Sequence, residues 1–337
     1  MTEIENKYGF PLFSRTTNNI YLGNHKKLII ADIWAFWDYI IKKANYEKEF
    51  MNSLLEQAKN FYLAAENSPI KSKPLLYYYS FLNFAKIIIN IEKKYGRVSY
   101  MHGVGEKHHN KFSNSTIKIA EKKTSTINVS CEFLNVLDNN IITTPQTINV
   151  KDYLAHCVGI HRTYSEIYNI DEIFIRLDDI KAFKHGKELI AQARVFCNDD
   201  KYNLLIAQGY NINKIDNDFI WEEKVITTGY NTTRNSYCQL SSHLRTKGLW
   251  YFINDKGYTV YLSTHNTNRY STEAIIYNTM FFLGSITRYH PYMFDKIFSD
   301  KEQWLMSEFL TTQPKQFLYL TTAKILGQNV MKAYSSF

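Results

Sequence analysis

The spacing of apolar residues changes along the chain, and each change marks a different kind of element. Over residues 31–44, Ile33, Trp34, Trp37, Tyr39, Ile40 and Ile41 predict a first helix, with Asp32 near its start, where a carboxylate meets unpaired amides. Over residues 45–67, Phe50, Leu54, Leu55, Ala58, Phe61, Tyr62 and Ala65 recur at steps of three and four, the stripe of an amphipathic helix. Ser68-Pro69 and Pro74 interrupt it. A third helix opens at Pro74 and is apolar on nearly every face as far as Ile91, so it must be enclosed by other elements and is the expected central helix. Its few polar residues are Ser80, Asn83 and Lys86, and a buried Asn83 would need a hydrogen-bond partner. Gly96 is expected to end it as a cap.

From Ser115 the period falls to two. Residues 116–120 and 126–129 predict two strands joined by a polar connection, and residues 150–168 a helix with Asn149 as N-cap. Strands follow at 172–177, 189–197 and 219–226, then a hairpin of 249–253 and 258–262 turning through Asn254-Asp255-Lys256-Gly257. Helical spacing returns at 272–289, with Ser271 as cap and Pro291 as stop, and continues in a short helix over 300–310 and another opening at Pro314. The pattern predicts an α+β fold, a mainly helical frame from both N- and C-terminal segments with an inserted antiparallel β section. Without internal repeats or a low-complexity linker, residues 1–337 read as one intertwined domain. Its parts are N-terminal helices (1–112), a β-rich middle (113–265) and C-terminal helices (266–337) packing back on the N-terminal set.

Composition narrows the classes. Hydrophobic residues at 45% and aromatics at 15% exclude a disordered chain. Lys plus Arg outnumber Asp plus Glu by 40 to 32, the balance a phosphate-binding surface needs, although pairs such as Lys42-Lys43 and Lys93-Lys94 read as solvated helix faces. Cys131, Cys157, Cys197 and Cys238 stand far apart, so neither a zinc knuckle nor a disulfide framework is indicated. The polar Met1–Lys7 start and the lack of a membrane-length apolar run give the expectation of a cytoplasmic protein with no membrane partner.

No Walker loop, G-x-S-x-G elbow, dinucleotide fingerprint or metal-ligand cluster is present, so neither a cofactor nor a metal is expected. The sharpest chemical candidate is Arg97 with His102, an Arg-x4-His spacing like that of metal-independent ribonucleases of the HEPN helical superfamily. There the imidazole moves a proton of the ribose 2′-hydroxyl or the leaving 5′-oxygen, and the guanidinium stabilises the scissile phosphate. Val98 stands where an Asn usually follows the Arg, and about one such spacing arises by chance in a chain of this composition. The bland alternative pairs Arg97 with a carboxylate and leaves His102 capping a loop. Arg288 in the last turn of 272–289 satisfies a helix dipole, or brings a second cation to the site. Tyr79, in the run Tyr77-Tyr78-Tyr79, could stack a base or belong to the core, and Arg288, Asn83 and Tyr79 are the candidate substrate-binding residues. A second nuclease pattern, Glu222-x-Lys224 on a strand with Asp199 or Asp200 upstream, would hold magnesium, but the same half-motif recurs at Glu92 and Glu121. His108-His109 lacks a third ligand and reads as a solvated loop.

The blocks Lys73-Pro74-Leu75-Leu76-Tyr77-Tyr78-Tyr79-Ser80-Phe81-Leu82-Asn83-Phe84-Ala85-Lys86, His102-Gly103 and Leu283-Gly284-Ser285-Ile286-Thr287-Arg288-Tyr289-His290-Pro291, followed by Trp304 and Gln316-Phe317, resemble the YaaC-like family of bacterial proteins. The resemblance implies one helical frame made from both ends of the chain and a likeness to HEPN-type proteins, which include ribonuclease toxins, antiviral effectors and non-catalytic partners. His102 falls in a family block. The implied function is an antiviral-defence or toxin-type effector that cleaves or binds RNA; the alternative is a non-enzymatic interaction or sensor subunit of a defence complex. RNA and a partner protein of such a system are the expected partners, with the oligomeric state open and a homodimer compatible.

Overall fold

In the computed structural model, which describes residues 28–333 apart from 45, 124, 227–238, 242, 245–246, 255–256 and 266–269, together with the strand Thr2–Glu3, the first helix is Ile33–Lys43. It begins there because Asp32 Oδ1 accepts from the amides of Trp34 and Ala35 at 2.9 and 3.1 Å. The fold is α+β. It forms two compact units: Asp32–Ile170 with Tyr270–Thr321, and Met1–Ala31 with Asp171–Arg269 and Thr322–Phe337.

The helical unit is built on Lys73–Lys93, the central helix, of whose 21 residues 14 are buried, so that it is covered on all sides. The amphipathic helix Lys48–Glu66 lies along it, tied by the Ser80 hydroxyl donating to Ala58 O at 2.7 Å. Asn83, buried as its neighbours require, donates to Gln57 Oε1 at 3.2 Å. Aromatic rings fill the remaining space: Phe84 meets Trp37 edge-on at 5.1 Å, and Phe81 stacks on Phe317 at 4.0 Å. The returning helix Thr272–Tyr289 packs against the central helix from far along the chain. They meet at Gly284, where a Cβ would lie 3.2 Å from Pro74 O and Tyr78 Cβ and 3.3 Å from Leu75 Cα. A Cβ at those distances would press its neighbours apart by a few tenths of an ångström, so glycine favours the close approach.

Several boundaries differ from the sequence pattern. The central helix ends at Lys94, which takes the left-handed cap conformation (φ 54°), rather than at Gly96. Asn90 makes this possible, since its Oδ1 accepts from the Gly96 amide and its Nδ2 donates to Lys86 O. Thr116–Ile119 pairs with Val104–Lys107 and Gln146–Asn149, not with residues 126–129. Ile127–Asn128 pairs in parallel with Tyr100–Met101, and the chain turns helical over Val129–Asp138, because six of the ten residues there are apolar at helical spacing. The helix expected over 150–168 is broken into Val150–Ala155, a 3₁₀ turn at Val158–Ile160 and His161–Tyr168, with Asn149 capping the first piece at Lys151 N. Ser271 does not cap by its hydroxyl; its amide donates to Asp138 Oδ2. Pro291 stops one helix and opens Pro291–Ile297, whereas Pro314 lies inside one long helix, Glu302–Leu326. Burial of Phe309, Leu310, Phe317 and Leu318 on both sides of that proline holds the helix through it.

The other unit is an antiparallel sheet in the order Ile212–Ile215, Asp218–Ile226, Glu188–Val195, Phe174–His185, Gly257–Ser263 and Trp250–Asn254, with Thr2–Glu3 also on Phe174–His185. Trp221, Ala191, Ala193, Val195, Val260 and Leu262 are buried, while Arg176, Lys224 and Tyr261 on the alternate positions meet solvent at least partly. Asp199–Ala207, between the strands expected at 189–197 and 219–226, is a helix capped by Asn198. The expected hairpin pairs as predicted, with Asp255 and Lys256 of its turn outside the described residues, as is Cys238. Cys131, Cys157 and Cys197 are free thiols. No described helix is long and apolar enough to cross a membrane.

The crossing at Gly284 yields a prediction. Gly284→Ala gains about 1 kcal/mol of helix propensity but crowds Pro74 O, Tyr78 Cβ and Leu75 Cα of the central helix, an overpacking cost of about 1–3 kcal/mol. Urea unfolding should therefore show a net loss of about 1 kcal/mol, and Gly284→Val a loss above about 2 kcal/mol; an alanine variant more stable than the wild type would mean that the two helices are free to separate.

Candidate functional site

Tyr79, Asn83 and Lys86 follow at steps of four and three along the central helix and therefore share one face. Tyr78, one position before Tyr79, is buried at 4% exposure. The loop leaving this helix brings a histidine back onto it. Tyr100–Met101 is held in parallel by Ile127–Asn128, then Ser130 N donates to His102 O at 3.1 Å and Ala120 N to Gly103 O at 2.9 Å. Gly103 adopts φ +68°, and a Cβ there would lie 2.6 Å from Asn128 Cβ, so the residue after His102 has to be glycine. His102 is thus fixed from both sides.

The exposed His102 turns its Nδ1 to the hydroxyl of Tyr78, with which it forms a hydrogen bond, and its ring lies 5.6 Å from the Tyr78 ring and 6.2 Å from Phe281. Burial, with the neighbouring Tyr277 and Tyr79, pushes the Tyr78 phenol far above its ordinary range, so it stays protonated. With Nδ1 occupied, Nε2 is the nitrogen left for a substrate. Partial desolvation, then the charges of Lys86 and Arg288, hold the His102 imidazolium below the ordinary histidine value of 6.5. Lys86 sits over the Tyr100 ring at 5.6 Å, its ammonium also lowered by burial. Arg288 Nη1 donates to Tyr79 Oη at 2.7 Å, and Tyr79 stacks on Phe61 at 5.5 Å.

Of the five residues singled out from sequence, His102, Tyr79 and Arg288 fall in this neighbourhood, and Asn83 lies on the same helix face with its amide given to Gln57. Arg97 is directed to the acidic start of Lys48–Glu66, its Nε 3.1 Å from Glu47 Oε2 and its Nη2 3.7 Å from Glu49 Oε2. Sequence reasoning passed over Tyr78 and Lys86. Lys86 could have been found as the third polar step after Tyr79 and Asn83; nothing local distinguishes Tyr78 from Tyr77, because its partner is 24 positions away.

The other patterns resolve differently. Glu222 and Lys224 pair with each other at 3.0 Å, Glu222 also accepts from Gln192, and Asp199 pairs with Lys214 at 2.6 Å. Glu223 faces the buried side of the sheet, where His243 Nε2 lies 2.9 Å away. Among the described residues no three His, Cys, Asp or Glu side chains are arranged to hold a metal. The His108 ring lies 3.8 Å from that of His290 at a tilt of 40°, and His290 reaches Glu106 at 3.9 Å.

Fold and site together define an α+β protein carrying a surface imidazole–phenol pair flanked by cations. The chain belongs to the YaaC-like family, whose model matches residues 11–325. No curated protein and no solved structure matches it.

The electrostatics predict how the histidine titrates. By NMR of the ring protons, His102 should have its midpoint below 6.5, and Arg288→Ala or Lys86→Ala should each move that midpoint up, because a repelling cation is removed. A midpoint indifferent to both changes would separate the cations from the imidazole.

Proposed function

We propose that this YaaC-like protein binds RNA at the His102 surface and cleaves it without a metal ion. The observation that supports this reading is the exposed His102, held at Nδ1 by a buried phenol, with Lys86 and Arg288 as the cations that perturb it. An imidazole that is mostly neutral near pH 7 is suited to be a general base, and a guanidinium beside it to a phosphate. Tyr289 and Tyr292, 60% and 80% exposed in the residues next to Arg288, offer faces on which unpaired bases can stack. The net charge of +8 favours a polyanion.

In the reaction, His102 in the tautomer whose Nδ1–H donates to the Tyr78 oxygen takes the proton of a ribose 2′-hydroxyl at Nε2, and the 2′-oxygen forms a bond to the adjacent phosphorus. The bond from phosphorus to the 5′-oxygen breaks, and water protonates the leaving oxygen. The products are a 2′,3′-cyclic phosphate and a 5′-hydroxyl. Arg288 supplies the phosphate contact that the Arg-x4-His spacing assigned to Arg97, since Arg97 is already paired with Glu47 and Glu49. The proposal includes a setting in antiviral or conflict defence, where HEPN-type ribonucleases act.

Purified protein incubated with total RNA in EDTA should give cyclic-phosphate ends. His102→Ala should slow cleavage at least about 100-fold, and Arg288→Ala about 10- to 100-fold with weaker RNA binding. Loss of cleavage in Arg97→Ala but not in Arg288→Ala would return the phosphate contact to Arg97. RNA binding that is lost in Arg288→Ala, with no cleavage by any form, would remove the enzyme and keep the binding protein. Cleavage undiminished in His102→Ala would sink the site.

A further inference from the structure

The returning helix Thr272–Tyr289 has a second face. Phe281 meets Tyr78 and His102, whereas Phe282 and Ile286 line a cavity of about 280 Å³ that also includes Phe112, Met293 and Ile297. Phe112 and Phe282 lie 6.1 Å apart and form its apolar floor. The charged part of the lining is three lysines and two carboxylates, Lys111, Lys296 and Lys301 against Asp300 and Glu302.

The carboxylates are already engaged. Asp300 Oδ1 accepts from the Lys301 amide at 2.7 Å, and Glu302, 5% exposed, lies beside the Tyr168 phenol, over whose ring Lys301 sits at 5.2 Å. The Lys301 ammonium also reaches Ile167 O at 3.4 Å. Lys111 and Lys296 have no carboxylate partner among the described residues, although Asp295, next to Lys296, is paired with Lys71. His108, whose ring is set by His290, adds a further polar edge. Two ammonium groups without an ion-pair partner, in a lining where three lysines face two carboxylates, complement at this apolar hollow an anion on an apolar body.

We infer that this cavity binds a small organic anion, its apolar part against Phe282 and Ile286 and its carboxylate or phosphate between Lys111 and Lys296. The site does not depend on the RNA reading, because it shares no side chain with the His102 surface.

Anilinonaphthalenesulfonate, a sulfonate on an aromatic body, is a direct probe. Its fluorescence with the full chain should rise saturably at one site per chain. The double variant Lys111→Gln, Lys296→Gln should raise Kd about tenfold, the loss of roughly 1.4 kcal/mol, and Met293→Trp should do the same by filling the hollow with every charge retained. Thermal unfolding at the wild-type midpoint certifies that each variant is folded. Displacement of the probe by phenyl phosphate but not octanoate assigns a phosphate ligand, and the reverse assigns a carboxylate. Unchanged affinity in both variants, or displacement by neither competitor, would overturn the inference.

Discussion

The close crossing of Lys73–Lys93 and Thr272–Tyr289 is the constraint on which the helical unit depends. A helix as apolar as the central one cannot stand in water on any side, so its stability is set by what covers it. The cover comes from a segment roughly two hundred positions later in the chain, and closing so long a loop costs entropy that local helix propensity does not return. Gly284 lets the two backbones approach within van der Waals distance, which increases the area each hides from water. The same contact sets the site: Phe281 reaches Tyr78 and His102, and Arg288, one turn beyond Gly284, reaches Tyr79. Packing and electrostatics are therefore not separable here.

Polar groups inside the unit are arranged to satisfy this packing. Ser130 donates to Asn278 across two helices at 2.7 Å, and the buried Glu132 carboxylate meets Lys122 at 3.2 Å, with Tyr95 and Asn135 donating to it at 3.3 Å. A buried carboxylate without those partners would cost several kcal/mol. Each of these contacts also restricts how Val129–Asp138 can sit on the two long helices. That helix in turn fixes the strand Ile127–Asn128 against which Tyr100–Met101 and Gly103 are seated. The position of His102 is thus a consequence of core packing several residues removed from it.

How much of this was legible follows from the range of the interactions. Ile33–Lys43, Lys48–Glu66, Lys73–Lys93 and Thr272–Tyr289 were readable because a 3.6-residue apolar period is a local signal, and so were Asn83's burial and the alternation in the sheet strands. The sequence pattern leaves Val129–Asp138 unassigned beyond a strand ending at Val129, because Ile127 and Val129 fit a period of two, and the helix is decided by partners such as Asn278. Pro314 was taken as a helix start because a proline usually is one; here the burial of residues on both sides outweighs a single missing amide. Gly96 was taken for the cap because glycine is the usual left-handed residue, whereas Asn90 and Tyr46 together support Lys94 in that role.

The arginine question shows the same limit of local spacing. Arg97 lies five positions before His102, and the spacing joins them, yet the chain bends at Arg97 and then enters the strand Tyr100–Met101, so their side chains need not converge. Arg97 finds the closest uncompensated charge, the carboxylates at the start of a helix whose first turn carries Glu49. An exposed pair of this kind contributes little stability, but it directs the guanidinium to the start of Lys48–Glu66 and sets carboxylates beside its charge. Arg288 differs in its partner: a neutral phenol fixes one nitrogen without neutralising the charge. A cation held by a hydroxyl keeps its field, and this field, after partial burial and the charge of Lys86, adds to what disfavours the His102 imidazolium. A guanidinium that keeps its charge and an imidazole that resists protonation therefore occur together at this surface.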